Sequence, residues 1–182
     1  GAHRLGIPAA VYLPATAAAD RIARVKVWTD DLHLVGSVWD TTHAQAVEFA
    51  AATHKTYVHP FDAEATVVGQ GTLGLELLDD VPDVDCVLIS IGGGGLIGGM
   101  AAAIKQSKPN VHIIGVEPVG APSMKHSLDL GHVEPLPEVK TIADTLAPRG
   151  VSDRTLWLAQ QYVDEVVLVE DSAMINAVRW LW

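Results

Sequence analysis

The 19 residues from Cys86 to Ile104 carry no charge and include six glycines, with Gly92, Gly93, Gly94 and Gly95 consecutive. Length alone would suit a membrane-spanning helix. Glycine in a helix interior costs about 1 kcal/mol relative to alanine, so four in a row break a helix rather than continue it. No flanking Lys/Arg cluster sets a membrane orientation. The stretch therefore reads as a strand over residues 85–91, a glycine loop, and a small-residue helix over 100–107. A near-continuous apolar strand implies burial on both faces, as in a parallel sheet. Cys86 then reads as a small apolar core residue. As the only cysteine it forms no internal disulfide, which points to a reducing, cytoplasmic setting.

The rest of the chain alternates strand and helix. Further strands are expected at residues 9–13, 32–36, 57–59, 111–116 and 165–169. Thr16 is placed to cap a helix that runs to Trp28 and ends at Asp30 in the left-handed conformation. Asp40 is placed to cap a second helix, whose apolar side carries Ala44, Val47, Phe49, Ala50 and Ala51. Helical stretches follow around residues 123–130 and 153–162. This alternation indicates an α/β protein with parallel sheets and helices on both faces. Buried strands also explain a mean hydropathy of +0.25. The expected domain boundary lies near Pro60, separating residues 1–59 from 60–182. Both ends look cut: Gly6 reads as the cap of a helix's last turn, and residues 177–182 are apolar with no stop signal. The net charge of −10 excludes a nucleic-acid partner. No apolar signal region opens the chain.

A glycine loop between a strand and a helix lets successive N–H groups meet one anion, and the helix dipole adds to the attraction. A phosphate is the natural ligand. The alternative is a turn whose glycines serve only tight strand–helix packing, although four in a row cost more chain entropy than packing is expected to need. Gly93, Gly95 and Gly98 also match a dinucleotide fingerprint, and Glu117 stands where a ribose-binding acid would. An NAD(P)- or flavin-binding oxidoreductase of Rossmann type is one alternative. A non-catalytic ligand-binding or interaction module is another.

The flanking motifs separate these readings. His59-Pro60-Phe61-Asp62, then Gly69-Gln70-Gly71-Thr72, the tetraglycine loop, Gly115-Val116-Glu117-Pro118 and Thr141-Ile142-Ala143-Asp144 occur in this order. The chain resembles the threonine/serine ammonia-lyase and serine racemase group of fold-type-II pyridoxal-phosphate enzymes, whose fold is tryptophan synthase β-like. The resemblance implies that Gly92, Gly93, Gly94, Gly95 and Leu96 bind the phosphate of pyridoxal 5'-phosphate through backbone N–H groups. It implies that Phe61 faces a small hydroxy amino-acid substrate, with packing against a sheet edge as the plainer role. It makes residues 1–59 most of a smaller, mobile domain and residues 60–182 the middle of a larger cofactor-holding one.

The family's reaction is a β-elimination giving a 2-oxo acid and ammonia, and it needs a lysine that carries the cofactor and removes the α-proton. The resemblance places that lysine upstream of this chain. Lys26, Lys55, Lys105, Lys108, Lys125 and Lys140 all lack its context. The chain alone is therefore expected to be inactive. Exposed apolar surface is expected to drive homo-oligomerisation, or pairing with a chain that supplies missing segments. Thr145 stands where the family usually has glycine, so the backbone there is expected to differ. Some members bind a divalent cation through a glutamate, a carbonyl and an aspartate. Glu117 and Ala121 match the first two, and Ser123 replaces the third. If no cation is bound, Glu117 is expected to end its strand at the surface. The eight histidines have no cysteine pair that would complete a zinc site.

Overall fold

The computed structural model describes residues 1–182, which form two compact units, Gly1–Tyr57 and Val58–Trp182. In the first unit, a 3-10 turn at Ala2–Leu5 ends at Gly6 in the left-handed conformation (φ 67°). Strand β1 (Val11–Leu13) pairs in parallel with β2 (Leu32–Leu34), and α1 (Ala19–Lys26) makes the crossover between them. Helix α2 (Trp39–Ala52) follows. Tyr12 and His33 stack at 4.5 Å, and Phe49 of α2 lies 5.5 and 5.3 Å from their rings. Aromatic packing thus joins the strand pair to α2.

The second unit contains α3 (Glu64–Asp80), β3 (Cys86–Ser90), α4 (Gly95–Ser107), β4 (His112–Pro118), α5 (Ser123–Leu130), α6 (Asp153–Tyr162), β5 (Glu165–Val169) and α7 (Asp171–Leu181). The sheet is parallel throughout, in the order β3-β4-β5. Ile89, Ile91 and Ile113 from the strand segments pack with Ile97, Met100, Ala101 and Ile104 of α4, Met124 of α5 and Leu156 of α6. Asp164 ties this core together. Its carboxylate accepts the Ile113 N–H at 2.7 Å and pairs with Lys105 of α4 at 2.7 Å. Burial pushes its pKa up, but these two partners and the nearby His112 outweigh that and hold it below the usual aspartate value.

Helices α3 and α4 meet backbone to backbone. A Cβ on Gly74 would lie 3.0 Å from the Met100 carbonyl oxygen, and one on Gly71 3.2 Å from that of Gly99. A Cβ on Gly99 would overlap the Val67 carbonyl oxygen. Only hydrogen fits at Gly99, and a Cβ at Gly71 or Gly74 would be tight.

Several expectations need correction. Strand β3 alternates exposed and buried residues, so Cys86 and Leu88 face solvent; the helices that cover Val87 and Ile89 leave the opposite face open. Residues 57–59 form no strand, because no partner strand lies beside them. Instead the His59 ring organises a turn. Thr16 caps no helix; its hydroxyl donates to the Ser37 carbonyl, and α1 begins three residues later. Asp30 is not left-handed, since His54 is the sole non-glycine with positive φ. Helix α4 starts five residues before the expected position, directly on the glycine loop. Helix α3 has no counterpart among the sequence expectations.

Candidate functional site

The glycine loop leaves β3 through Ile91, whose N–H donates to the Val116 carbonyl at 2.8 Å, and enters α4 at Gly95. The glycines meet Leu146, Phe61, Met124 and Thr155. A Cβ on Gly92 would lie 3.3 Å from the Leu146 Cα. On Gly93 it would fall inside the Phe61 ring. Gly94 caps α4 at φ 89°, and a Cβ there would lie 2.6 Å from the Met124 methyl and 2.8 Å from Thr155 Cβ. On Gly95 it would lie 2.7 Å from the Phe61 carbonyl oxygen. Packing alone therefore leaves no room for a Cβ at Gly93, Gly94 or Gly95 and makes one tight at Gly92. The expectation that packing would need fewer is corrected for Gly93, Gly94 and Gly95, because four separate segments converge on the loop.

The loop's donors are a separate observation. The N–H groups of Gly92, Gly93, Gly94, Gly95, Leu96 and Ile97 donate to no acceptor in the protein. Three of these residues, Gly94, Gly95 and Ile97, are buried. Orphan donors at a helix start are ordinary for Gly94, Gly95, Leu96 and Ile97, but Gly92 and Gly93 extend the set beyond it. Buried N–H groups without partners are costly, and an anion bound at the loop would satisfy them. Leu96 has the same orphan donor as its neighbours and is half-buried.

Phe61 lies against this loop because His59 shapes its backbone. The His59 Nδ1 accepts the N–H groups of Phe61 and Asp62 at 3.2 and 2.9 Å, and the two rings meet edge-on at 4.6 Å. Arg154 of α6 donates to the Asp62 carbonyl at 3.1 Å. Another segment against the loop is the 3-10 turn Asp144–Leu146, which includes Thr145 at ordinary negative φ. Asp171, at the start of α7, anchors the strip just before this turn. Its carboxylate accepts the Thr141 hydroxyl at 2.6 Å and the Ile142 N–H at 3.0 Å. None of the atoms that a Cβ on the four loop glycines would meet first belongs to a lysine. Lys105 and Lys125 pair with Asp164 and Asp129, Lys55 with Asp31, and Lys108 donates to the Pro82 carbonyl.

Glu117 is not at the surface, against the expectation for a chain without a cation there: it is 1% exposed at the end of β4. Its Oε1 accepts the Met124 N–H and its Oε2 the Lys125 N–H, both at 2.8 Å, with the Ser123 hydroxyl at 3.5 Å. Ala121 is fully buried in the intervening turn. No group of three or more His, Cys, Asp and Glu side chains is placed to hold a metal ion. Burial pushes the Glu117 pKa up to about 7, although the Met124 and Lys125 N–H groups and the Ser123 hydroxyl all favour the ionised form. The folded pKa exceeds the unfolded one, so the contribution is complete below pH 4.5 and disappears as pH rises through about 7. The wild-type minus E117Q stability difference should fall over that window by up to about 3 kcal/mol. Urea unfolding of both proteins at pH 4.5 and pH 8 checks this, and a flat difference contradicts it.

Comparison with known proteins places the chain in a family. The sequence profile of the family described as "Pyridoxal-phosphate dependent enzyme" matches residues 1–182. An L-threonine ammonia-lyase of Geobacter sulfurreducens is 38% identical over 177 residues, 97% of this chain and 44% of that protein. Maize serine racemase superposes with a TM-score of 0.91 at 34% identity, over 98% of this chain and 54% of the other. The processed form of threonine deaminase isoform 2 from Solanum lycopersicum gives a TM-score of 0.85 at 39% identity, over 92% and 46%. The chain thus spans about half the length of the relatives it matches. No helix is long and apolar enough to cross a membrane.

Proposed function

Since the chain belongs to the family of pyridoxal-phosphate dependent enzymes, we propose that it is the cofactor-phosphate-holding part of a threonine/serine ammonia-lyase-like enzyme. The observation that carries this reading is the row of unpartnered N–H groups from Gly92 to Ile97. Gly92, Gly93, Gly94, Gly95 and Leu96 would hold the phosphate of pyridoxal 5'-phosphate. A ligand that is dianionic near neutral pH suits six uncharged donors and a helix start. When bound, the cofactor supplies an electron sink for charge developing on an amino-acid substrate. The residues of this chain bind and orient. Phe61, fixed over Gly93, lines the substrate side and keeps water off the loop. Residues 1–59 would make most of a smaller domain, and 60–182 the middle of the cofactor-holding one.

The nucleotide reading is less well supported, because both Glu117 oxygens already accept N–H groups from α5 and none is turned out to meet a ribose. The exposed Leu88, Val178, Trp180, Leu181 and Trp182 support association with a second copy or with a chain that covers them. The lone Cys86, exposed and unpaired, fits a reducing cytoplasm.

Pyridoxal 5'-phosphate and inorganic phosphate should compete for one site on the chain. Borohydride treatment should label no lysine stoichiometrically, and threonine should not be turned over. Peptide mass mapping after reduction checks this. A single stoichiometric lysine adduct accompanied by turnover overturns the reading.

A further inference from the structure

The floor beneath the loop is built from two helix starts. Gly94 rests on the Met124 methyl, from the first turn of α5, and on Thr155, from the first turn of α6. Both residues are fully buried. The start of α6 is held locally: the Ser152 hydroxyl and Thr155 form a reciprocal capping box. Helix α5 has no such cap, because Pro122 precedes it and offers no side-chain acceptor. Its acceptor comes from another element. Glu117, at the end of β4, takes the N–H groups of Met124 and Lys125.

The donors on Glu117 make it a helix cap, and little else around it suits a cation. Mg²⁺ and Ca²⁺ need several oxygen ligands, whereas here each Glu117 oxygen already accepts an N–H, Ser123 replaces a second carboxylate, and no group of three or more His, Cys, Asp and Glu side chains is gathered. We propose that Glu117 is a positioning residue for the glycine loop, capping α5 in place of a divalent cation site so that Met124 supports Gly94. Removing the carboxylate frees the α5 start, and the Met124 methyl shifts away from the loop. The loop N–H groups then lose their common orientation. This inference rests on the loop being the phosphate site, and its test separates the two.

Inorganic phosphate affinity is measured for the whole chain, for E117Q and for M124A, with Ca²⁺, Mg²⁺ or a chelator present, and amide exchange and amide signals are followed in each. In E117Q, phosphate affinity should fall about 3- to 10-fold. Amide protection should fall at Lys125 but persist in β4. M124A should lose comparable affinity with α5 protection intact, and the double variant should lose little more than either alone. Cations should change nothing by more than about 2-fold. Unchanged affinity in both single variants overturns the proposal. So does a cation-dependent gain that E117Q abolishes. If the wild-type chain takes no phosphate, the phosphate reading fails, and Glu117 is judged by the Gly94 amide signal: moved in E117Q supports positioning, and unmoved refutes it.

Discussion

Alanine at Gly99 lowers the stability of residues 58–182 by about 3 kcal/mol, the upper end for overpacking a core. The new Cβ would overlap the Val67 carbonyl oxygen and lie 2.9 Å from the Gly71 nitrogen, both in the backbone of α3. Side chains relieve such contacts by changing rotamer, but helix backbone does not. Helix α3 has to move bodily away from α4, opening the core around Met100 and Ile104. The helix propensity gained by replacing glycine returns only about 1 kcal/mol. Gly69→Ala is the matched control. It lies in the facing helix α3, with nothing within 4 Å of its added Cβ. It should raise stability by about 0.5–1 kcal/mol. Urea midpoints of the two variants should move in opposite directions, and an unchanged midpoint for Gly99→Ala contradicts the backbone contact.

Alanine at Gly94 has the largest expected effect on the site. Its φ of 89° costs an L-residue roughly 1–2 kcal/mol. Its Cβ would also lie within 2.8 Å of Met124 and Thr155, which are fully buried and have no room to retreat. The loop has to lift from its floor, and its N–H groups then diverge. Phosphate affinity should drop by at least roughly 10-fold, the effect of about 1.4 kcal/mol. Gly131→Ala separates strain from crowding. It shares the left-handed conformation (φ 79°) with nothing within 4 Å, so it should cost stability and leave phosphate affinity unchanged. Calorimetric titration of both variants reads the difference. Equal phosphate affinities in the two variants would remove Gly94 from the site.

Strong local signals made parts of this fold legible from sequence. The β3–loop–α4 unit, β4, β5, α5 and α6 follow from apolar runs bounded by glycine, proline and polar residues. Helix α3 was hidden because Gly69, Gly71 and Gly74 look like loop residues. It is held by packing rather than propensity, as α4 brings Gly99 into backbone contact. The spacing of Val67, Gly71, Gly74 and Leu78, all buried on one face, is the signal that would have found it. Cys86 and Leu88 misled in the opposite direction. An apolar strand implies cover on both faces, but cover comes from other elements that a strand's own residues do not specify. At the site, residue types were legible and directions were not. Glu117 was visible as the acid after β4. Nothing in one dimension indicates that its carboxylate turns inward to cap α5. Phe61 was legible through its motif, but its seat on Gly93 depends on the turn made by His59.

The central claim is that backbone N–H groups of the glycine loop hold a phosphate. Amide signals recorded while inorganic phosphate and then pyridoxal 5'-phosphate are added test it most directly. The account predicts saturable shifts centred on Gly92, Gly93, Gly94, Gly95 and Leu96, with slowed exchange of the same amides and no comparable change in the first unit. Saturable binding that leaves these five amides unmoved would contradict it.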